Sequence, residues 1–283
     1  MNILVTGGAG FIGTNLIIYL IKEGHEVTSI DNYESGLKSN HQKGCKYLEK
    51  DIKDIFDIKE RFDLIFHLAG LSRIQPSFKN PLSTFFANSQ GTQYVCEFAR
   101  NMNAKVVYSG SSSRWHNPYI SPYACYKHIG EEICKMYRET FNLKIEIARF
   151  YNVYGPYEIV DGDWAAVTGI WRRQIRDGKQ ITIIGDGNQK RDFTHVYDIT
   201  DGLYKIAIGN ETHHDAWELG TGMNYSINEV YNLFKEKFNV DCVYLEDQPG
   251  NYRETLREND DSLKRLNWKP KDRLAEYINK LEL

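Results

Sequence analysis

No apolar run in these 283 residues approaches the ~18 that a bilayer span requires, so a membrane-embedded protein is excluded. Charge of one sign is also lacking. Lys and Arg number 35 against 38 Asp and Glu, with no charge run and no basic stripe, so no nucleic-acid partner is expected. Cysteines are few and odd in number, at positions 45, 96, 125, 134 and 242, without CxxC or Cys/His ligand spacing. Neither a disulfide framework nor a metal site is expected from them; reduced thiols of a cytoplasmic protein are. A basic leader is absent, since Asn2-Ile3-Leu4-Val5 already reads as a buried strand. Repeats and low-complexity tracts are missing too.

What is present is an alternation of apolar runs and helical patterns. Strands are read at 3–6, 26–30, around 47–48, at 64–68, 105–108 and 144–150. Helices are read at 14–23, closed by Gly24, and after Pro81 and Pro122. Near-continuous apolar strands separated by amphipathic helices predict a parallel sheet covered on both faces, the doubly wound Rossmann type of α/β fold. After Val153 the rhythm changes, with Gly155-Pro156, Asp161-Gly162-Asp163 and a Gly-Asp-Gly turn at 185–187. A helix near 164–176, a short strand at 181–184 and a helix near 226–238 follow. The expected organisation is a Rossmann domain at 1–153, to which the chain returns at about 187–222. A smaller C-terminal α/β substrate lobe is expected at 154–186 and 223–283.

Gly7-Gly8-Ala9-Gly10-Phe11-Ile12-Gly13 stands between the first strand and the first helix. Glycines there permit a tight turn, close approach of a pyrophosphate and helix–strand packing, while the helix N-terminus offers free N–H groups to the anion. Asp31, ending the second strand, would accept hydrogen bonds from the adenosine ribose and repel a 2′-phosphate, so NAD is favoured over NADP. Asn32, Ser35 and Gly36 would wrap the same ribose. Asp51 and Ile52 are placed for the adenine edge, although Asp51 is equally suited to capping a loop.

Tyr123 and Lys127 stand four residues apart near a helix start, so both project from one face. A nearby ammonium would favour the phenolate and draw its pKa toward the working range. Ser111, at the end of the fifth strand, is placed to hydrogen-bond the same substrate oxygen.

Together TGGAGFIG (6–13), DNYESG (31–36), HLAGLS (67–72), NSQGT (88–92), SGSSS (109–113), YACYK (123–127), RFYNVYGP (149–156), GDGNQKRDFTHVYDI (185–199) and LNWKP (266–270) resemble the extended short-chain dehydrogenase/reductases. The resemblance is to their NAD-dependent nucleotide-sugar epimerase/dehydratase branch and covers nearly the whole chain. It implies that Gly7, Gly10, Phe11, Ile12, Gly13, Leu68, Ala69, Gly70, Asn88, Ser109, Tyr123, Lys127 and Tyr151 line the cofactor. It also implies that Tyr123 is the acid/base, with Lys127 its partner, and that Ser111 and Ser112 face the sugar. Asn152 and Arg191 would hold the sugar diphosphate, though Asn152 also suits a turn cap and Arg191 a solvated ion pair. HLAGLS and DNYESG look closest to the UDP-hexose 4-epimerases. Ser112 and Ser113 stand where a dehydratase carries an acid pair, which disfavours elimination, and Asp31 disfavours an NADPH-dependent 4-keto-sugar reductase. A non-catalytic NAD-binding sensor is the alternative from another class.

Departures from the family pattern cluster on the substrate side. The 112–122 loop is short, and Arg114-Trp115-His116 replaces the usual Val-Tyr-Gly. Ile184 stands where an aromatic ring often faces the uracil. Gln248 stands where an arginine often grips the diphosphate, with Arg253 close behind as its substitute. The helices after Pro81 and Pro122 correspond to those of a four-helix dimer interface, so a homodimer is expected.

Overall fold

A computed structural model describes all residues, 1–283. Its centre is a seven-stranded parallel sheet built from β1 (Asn2–Thr6), β2 (Glu26–Asp31), β3 (Cys45–Glu49), β4 (Leu64–His67), β5 (Lys105–Ser111), β6 (Ile145–Phe150) and a strand at Trp217–Leu219. The spatial order places β3, β2 and β1 on one side, then β4, β5, β6 and Trp217–Leu219 on the other. Chain order therefore reverses between β1 and β4, opening a crevice at their carboxyl ends where such sheets take ligands.

The strands are buried on both faces. Ile3, Val5, Leu64, Phe66, Val107 and Ala148 pack beneath α1 (Phe11–Lys22) and the later helix Val196–Ile208. Leu4, Ile65, Val106 and Ile147 face a core completed by Val95, Phe98 and Cys134. Those side chains come from the helices after Pro81 and Pro122. The first comprises α3 (Pro81–Phe85), one π-helical turn (Phe86–Gln90) and α4 (Gly91–Met102), with the short α2 (Ile74–Lys79) preceding it; the second is α5 (Pro122–Phe141). Asn103 and Asn142 end α4 and α5 in the left-handed conformation, as short polar side chains do at helix C-termini.

The second lobe carries its own core of Trp171, Ile181, Ile183, Phe193, Val230, Phe234, Leu274 and Ile278. Its parallel pair is Ile181–Ile184 with Cys242–Leu245, flanked by α6 (Val167–Arg176) and the helix Ile227–Phe238. Ser226 and Glu229 form a reciprocal capping box at the latter's start. Lobe membership differs from the expected boundaries at two places. Phe193, within the expected return to the Rossmann domain, packs in the second-lobe core. Leu263, Leu266 and Trp268 pack on the first-lobe core, with the Trp268 indole donating to the Asp198 carbonyl at 2.8 Å. A large aromatic side chain with one donor fits beneath Val196–Ile208, so this stretch leaves the substrate lobe.

Candidate active site

The crevice between the lobes is a cavity of about 1290 Å³. At its floor Gly7 adopts φ +71°, and a Cβ there would stand 2.8 Å from the Ala69 nitrogen. A Cβ on Gly13 would stand 2.2 Å from the Gly7 carbonyl oxygen, so the turn tolerates no side chain where α1 crosses it. Gly10 is the N-cap of α1, and no side chain caps the helix. Its first amides are therefore left to a ligand, the arrangement that suits a pyrophosphate.

Asp31 lies nine-tenths buried beside this turn and accepts from the Ala9 and Tyr33 amides at 2.9 and 2.8 Å. Burial raises its carboxyl pKa and the two backbone N–H groups oppose that rise. The carboxylate thus braces the glycine turn as well as facing the crevice. Asn32 and Ser35 line the crevice with it, whereas Gly36 packs beneath, where a Cβ would stand 3.0 Å from Ala9 and from Asp31 Oδ1. Asp51 lines the crevice and also caps the turn that follows, accepting from the Lys53 amide at 3.0 Å; Ile52 stands next to it. Both readings of Asp51 describe one position.

Leu68, Ala69 and Gly70 form the opposite wall. His67 fixes this wall from below, its Nδ1 2.8 Å from Thr6 Oγ1 and its Nε2 3.2 Å from Thr92 Oγ1, and burial pulls its pKa down to about 3. Asn88, in the π-helical turn, spends its amide on the Leu71 main chain, accepting N–H and donating to C=O at 2.9 Å each.

Ser109, Ser111, Ser112, Tyr123 and Lys127 meet at the crevice centre. Ser121 caps α5 through the Ala124 amide, and Ser77 of α2 accepts the Tyr123 N–H at 3.1 Å, so two elements aim the phenol. The Tyr123 hydroxyl lies 3.3 Å from Ser111 Oγ. Lys127 donates to the Ser109 carbonyl at 2.5 Å and lies over the Tyr108 ring, and burial pulls its ammonium pKa down to about 8. Burial also pushes the Tyr123 phenol above its ordinary value, opposed by the Ser111 hydroxyl and the Arg73 guanidinium. The Lys127 ammonium is turned to the strand carbonyl, and the Arg73 guanidinium also acts on Tyr123.

Around the second-lobe side stand Asn152, Ile184, Arg191, Gln248 and Tyr252. The Asn152 amide donates to Asp192 C=O and Thr255 Oγ1, at 3.2 and 2.9 Å. Arg191 is half-buried and forms no ion pair; its Nη1 donates to the Lys190 carbonyl at 2.8 Å. Two expected residues stand elsewhere. Arg253 is exposed and held in a two-toothed pair with Asp186 at 2.9 and 3.0 Å, so it does not replace an arginine at Gln248. Tyr151 is buried with its hydroxyl on Glu218 at 2.8 Å, because alternation along an extended chain sends Phe150 and Asn152 to the crevice and Tyr151 behind it.

The Arg114-Trp115-His116 departure also shapes this end. His116 stacks on Tyr252 at 3.9 Å, joining the short loop to the second lobe. Trp115 donates to Glu218 at 2.6 Å and covers the guanidinium of buried Arg149, which pairs with Glu131 and Asp215 at 2.8 Å each.

Residues 3–220 match the NAD dependent epimerase/dehydratase family. A putative UDP-glucose 4-epimerase of Methanocaldococcus jannaschii is 30% identical, over 99% of this chain and 96% of its own. UDP-glucuronic acid decarboxylase 1 of Xenopus tropicalis is 29% identical over 99% of this chain and 70% of its own. Among solved structures, the UDP-glucose 4-epimerase of Thermotoga maritima with UDP-glucose superposes with a TM-score of 0.90 at 28% identity, covering 99% of this chain and 96% of that one. The glycine turn, the uncapped helix and Asp31 fit the dinucleotide, and the chain belongs to the NAD-dependent epimerase/dehydratase family, with NAD as its cofactor.

Proposed function

We propose that this protein is a nucleotide-sugar 4-epimerase that oxidises and re-reduces the C4 hydroxyl of a UDP-linked hexose. The observation that carries this reading is the meeting of Ser111, Tyr123 and Lys127 in the crevice beside the glycine turn. Tyr123 takes the proton of the 4-hydroxyl and returns it, Ser111 donates to the same oxygen, and Lys127 holds positive charge beneath them. NAD, when bound, would supply the hydride acceptor and then the donor for C4, with return to the opposite face of the sugar inverting that centre. Gly7, Gly10, Phe11, Ile12 and Gly13 hold the pyrophosphate. Asp31, Asn32 and Ser35 hold the adenosine ribose, with Asp51 and Ile52 at the adenine. Leu68, Ala69, Gly70, Asn88 and Ser109 line the rest, with Asn88 also bracing that wall through the Leu71 main chain. Arg191 and Asn152 take the diphosphate, and Ile184 the base. Neither Ser112 nor Ser113 has a carboxyl group for the proton transfers of a 4,6-elimination, which supports epimerisation over dehydration.

The test is incubation with UDP-glucose, UDP-galactose and their N-acetyl and uronate forms, followed by proton NMR. Interconversion of one C4 pair without net NADH supports the proposal; no conversion of any pair, with NAD binding intact, overturns it. The proposal extends to a homodimer through α3, α4 and α5, where Leu82, Phe86, Met136 and Phe141 are exposed. A monomeric mass in solution would refute that part.

A further inference from the structure

Arg73 precedes α2, the helix whose Ser77 holds the Tyr123 amide, and its side chain lines the crevice at the reacting end. Its Nε donates to the carbonyls of Trp164 and Ala165 at 3.0 and 3.2 Å, which ties the guanidinium to the second lobe. The two terminal nitrogens have no protein acceptor, and Arg73 forms no ion pair within 4.0 Å. Glu158, the acid that influences it, is committed to Thr168, Arg172 and Tyr277 at 2.7, 3.0 and 3.1 Å. A half-buried guanidinium with two free nitrogens and no counter-ion is a ready partner for an anion that a ligand brings.

Two further arginines line the crevice without an ion pair: Arg173, on the second-lobe helix α6 and donating to the Gly162 carbonyl, and Arg191, also toward the second lobe. Arg191 lies close enough to His116 and Tyr252 to influence their titration, and it is the guanidinium assigned to the diphosphate. Arg73 instead acts on Tyr123, where the sugar ring reacts. With Arg191 assigned to the diphosphate, Arg73 on the Tyr123 side is left for an anion carried by the sugar ring. The flat fork of an arginine matches a carboxylate, and a neutral hydroxymethyl group at the same place would leave its charge unanswered.

We propose that Arg73 binds a carboxylate on the sugar ring, so that the substrate is a nucleotide-linked uronic acid rather than a neutral hexose. This rests on the nucleotide-sugar reading above and names the sugar class within it. The carboxyl carbon of a hexuronic acid is attached at C5, next to the C4 that Tyr123 serves, which places its oxygens beside Tyr123 on the Arg73 side.

The experiment is calorimetric titration of the NAD-loaded protein with UDP, UDP-glucose and UDP-glucuronate, before and after Arg73→Leu. The uronate is expected to bind the unaltered protein about tenfold to a hundredfold more tightly than UDP-glucose, the range of a charge-assisted hydrogen-bonded pair. Arg73→Leu removes that preference and leaves UDP binding unchanged. Equal binding of the two sugars by the unaltered protein overturns the inference while leaving the nucleotide-sugar reading intact. Weakened UDP binding in the variant also overturns it, making Arg73 a diphosphate ligand. Failure of all three compounds to bind the unaltered protein overturns both proposals together. Should Arg73→Leu not fold, Arg73→Gln, which removes the charge but keeps a donor for the Trp164 and Ala165 carbonyls, decides the same question.

Discussion

The hydroxyls of Tyr123 and Ser111 stand 3.3 Å apart, one from a helix start and the other from a strand end. A substrate oxygen seated between them is offered a proton acceptor and a hydrogen-bond donor at once. Tyr123→Phe should lower kcat by about 10²–10⁴-fold, the usual worth of a positioned acid/base. NAD affinity should stay unchanged by calorimetry, because the phenol is not among the groups that brace the glycine turn. Ser111→Ala should cost less, about tenfold, since it removes one hydrogen bond.

Lys127 separates activity from stability. Its ammonium pKa is pulled from 10.5 down to about 8 by burial, so the folded protein sheds this proton before the unfolded chain does. The resulting penalty is full below about pH 8, shrinks as pH rises toward 10.5 and is gone above that; it is on the order of 3 kcal/mol. Lys127→Met should therefore abolish most turnover at pH 7 while leaving the melting temperature equal or higher. A clear fall in melting temperature at that pH would contradict it.

His67 sets an acid limit. Its folded pKa of about 3 lies below the ordinary 6.5, so protons bind the unfolded chain first between these values. Stability present above pH 6.5 should be lost progressively as pH falls toward 3. His195, held down to about 4 by burial, acts in the same direction. Urea denaturation across this range should show a slope that His67→Gln makes shallower.

Trp115 staples the short loop to the sheet edge. Trp115→Ala removes the indole donor from buried Glu218 and the ring from Arg149, and should cost about 1–3 kcal/mol. Faster amide exchange at 112–117 and a raised KM, with NAD affinity unchanged, are the expected readouts.

The first lobe was legible because its signals are local. The strand, glycine turn and helix at 2–22 are contiguous, and Tyr123 and Lys127 share a helix face at a fixed spacing. The glycines, Asp31 and Ser111 also stand in the crevice where the motifs put them. What escaped depends on contacts between distant segments. Arg73 gains its meaning from Trp164 and Ala165, and Trp115 from Glu218. Neither partner is encoded by spacing. Arg253 was assigned to the crevice on nearness in sequence to Gln248, but the chain between them turns it onto Asp186. Tyr151 was carried over from a motif, and strand alternation decides its side. Gly36 was read with the ribose-binding residues, yet it serves them by letting Ala9 and Asp31 approach.

The parallel sheet is closed at one edge by Trp217–Leu219, and its core is capped by Trp268, both far along the chain from β1. A ribosome releasing residues 1–153 has delivered the glycine turn, Asp31 and the Tyr123 helix, but with β6 still an open edge. The core beneath the glycine turn is thus completed only once residues 217–219 and Trp268 have emerged, long after every first-lobe crevice residue has been made.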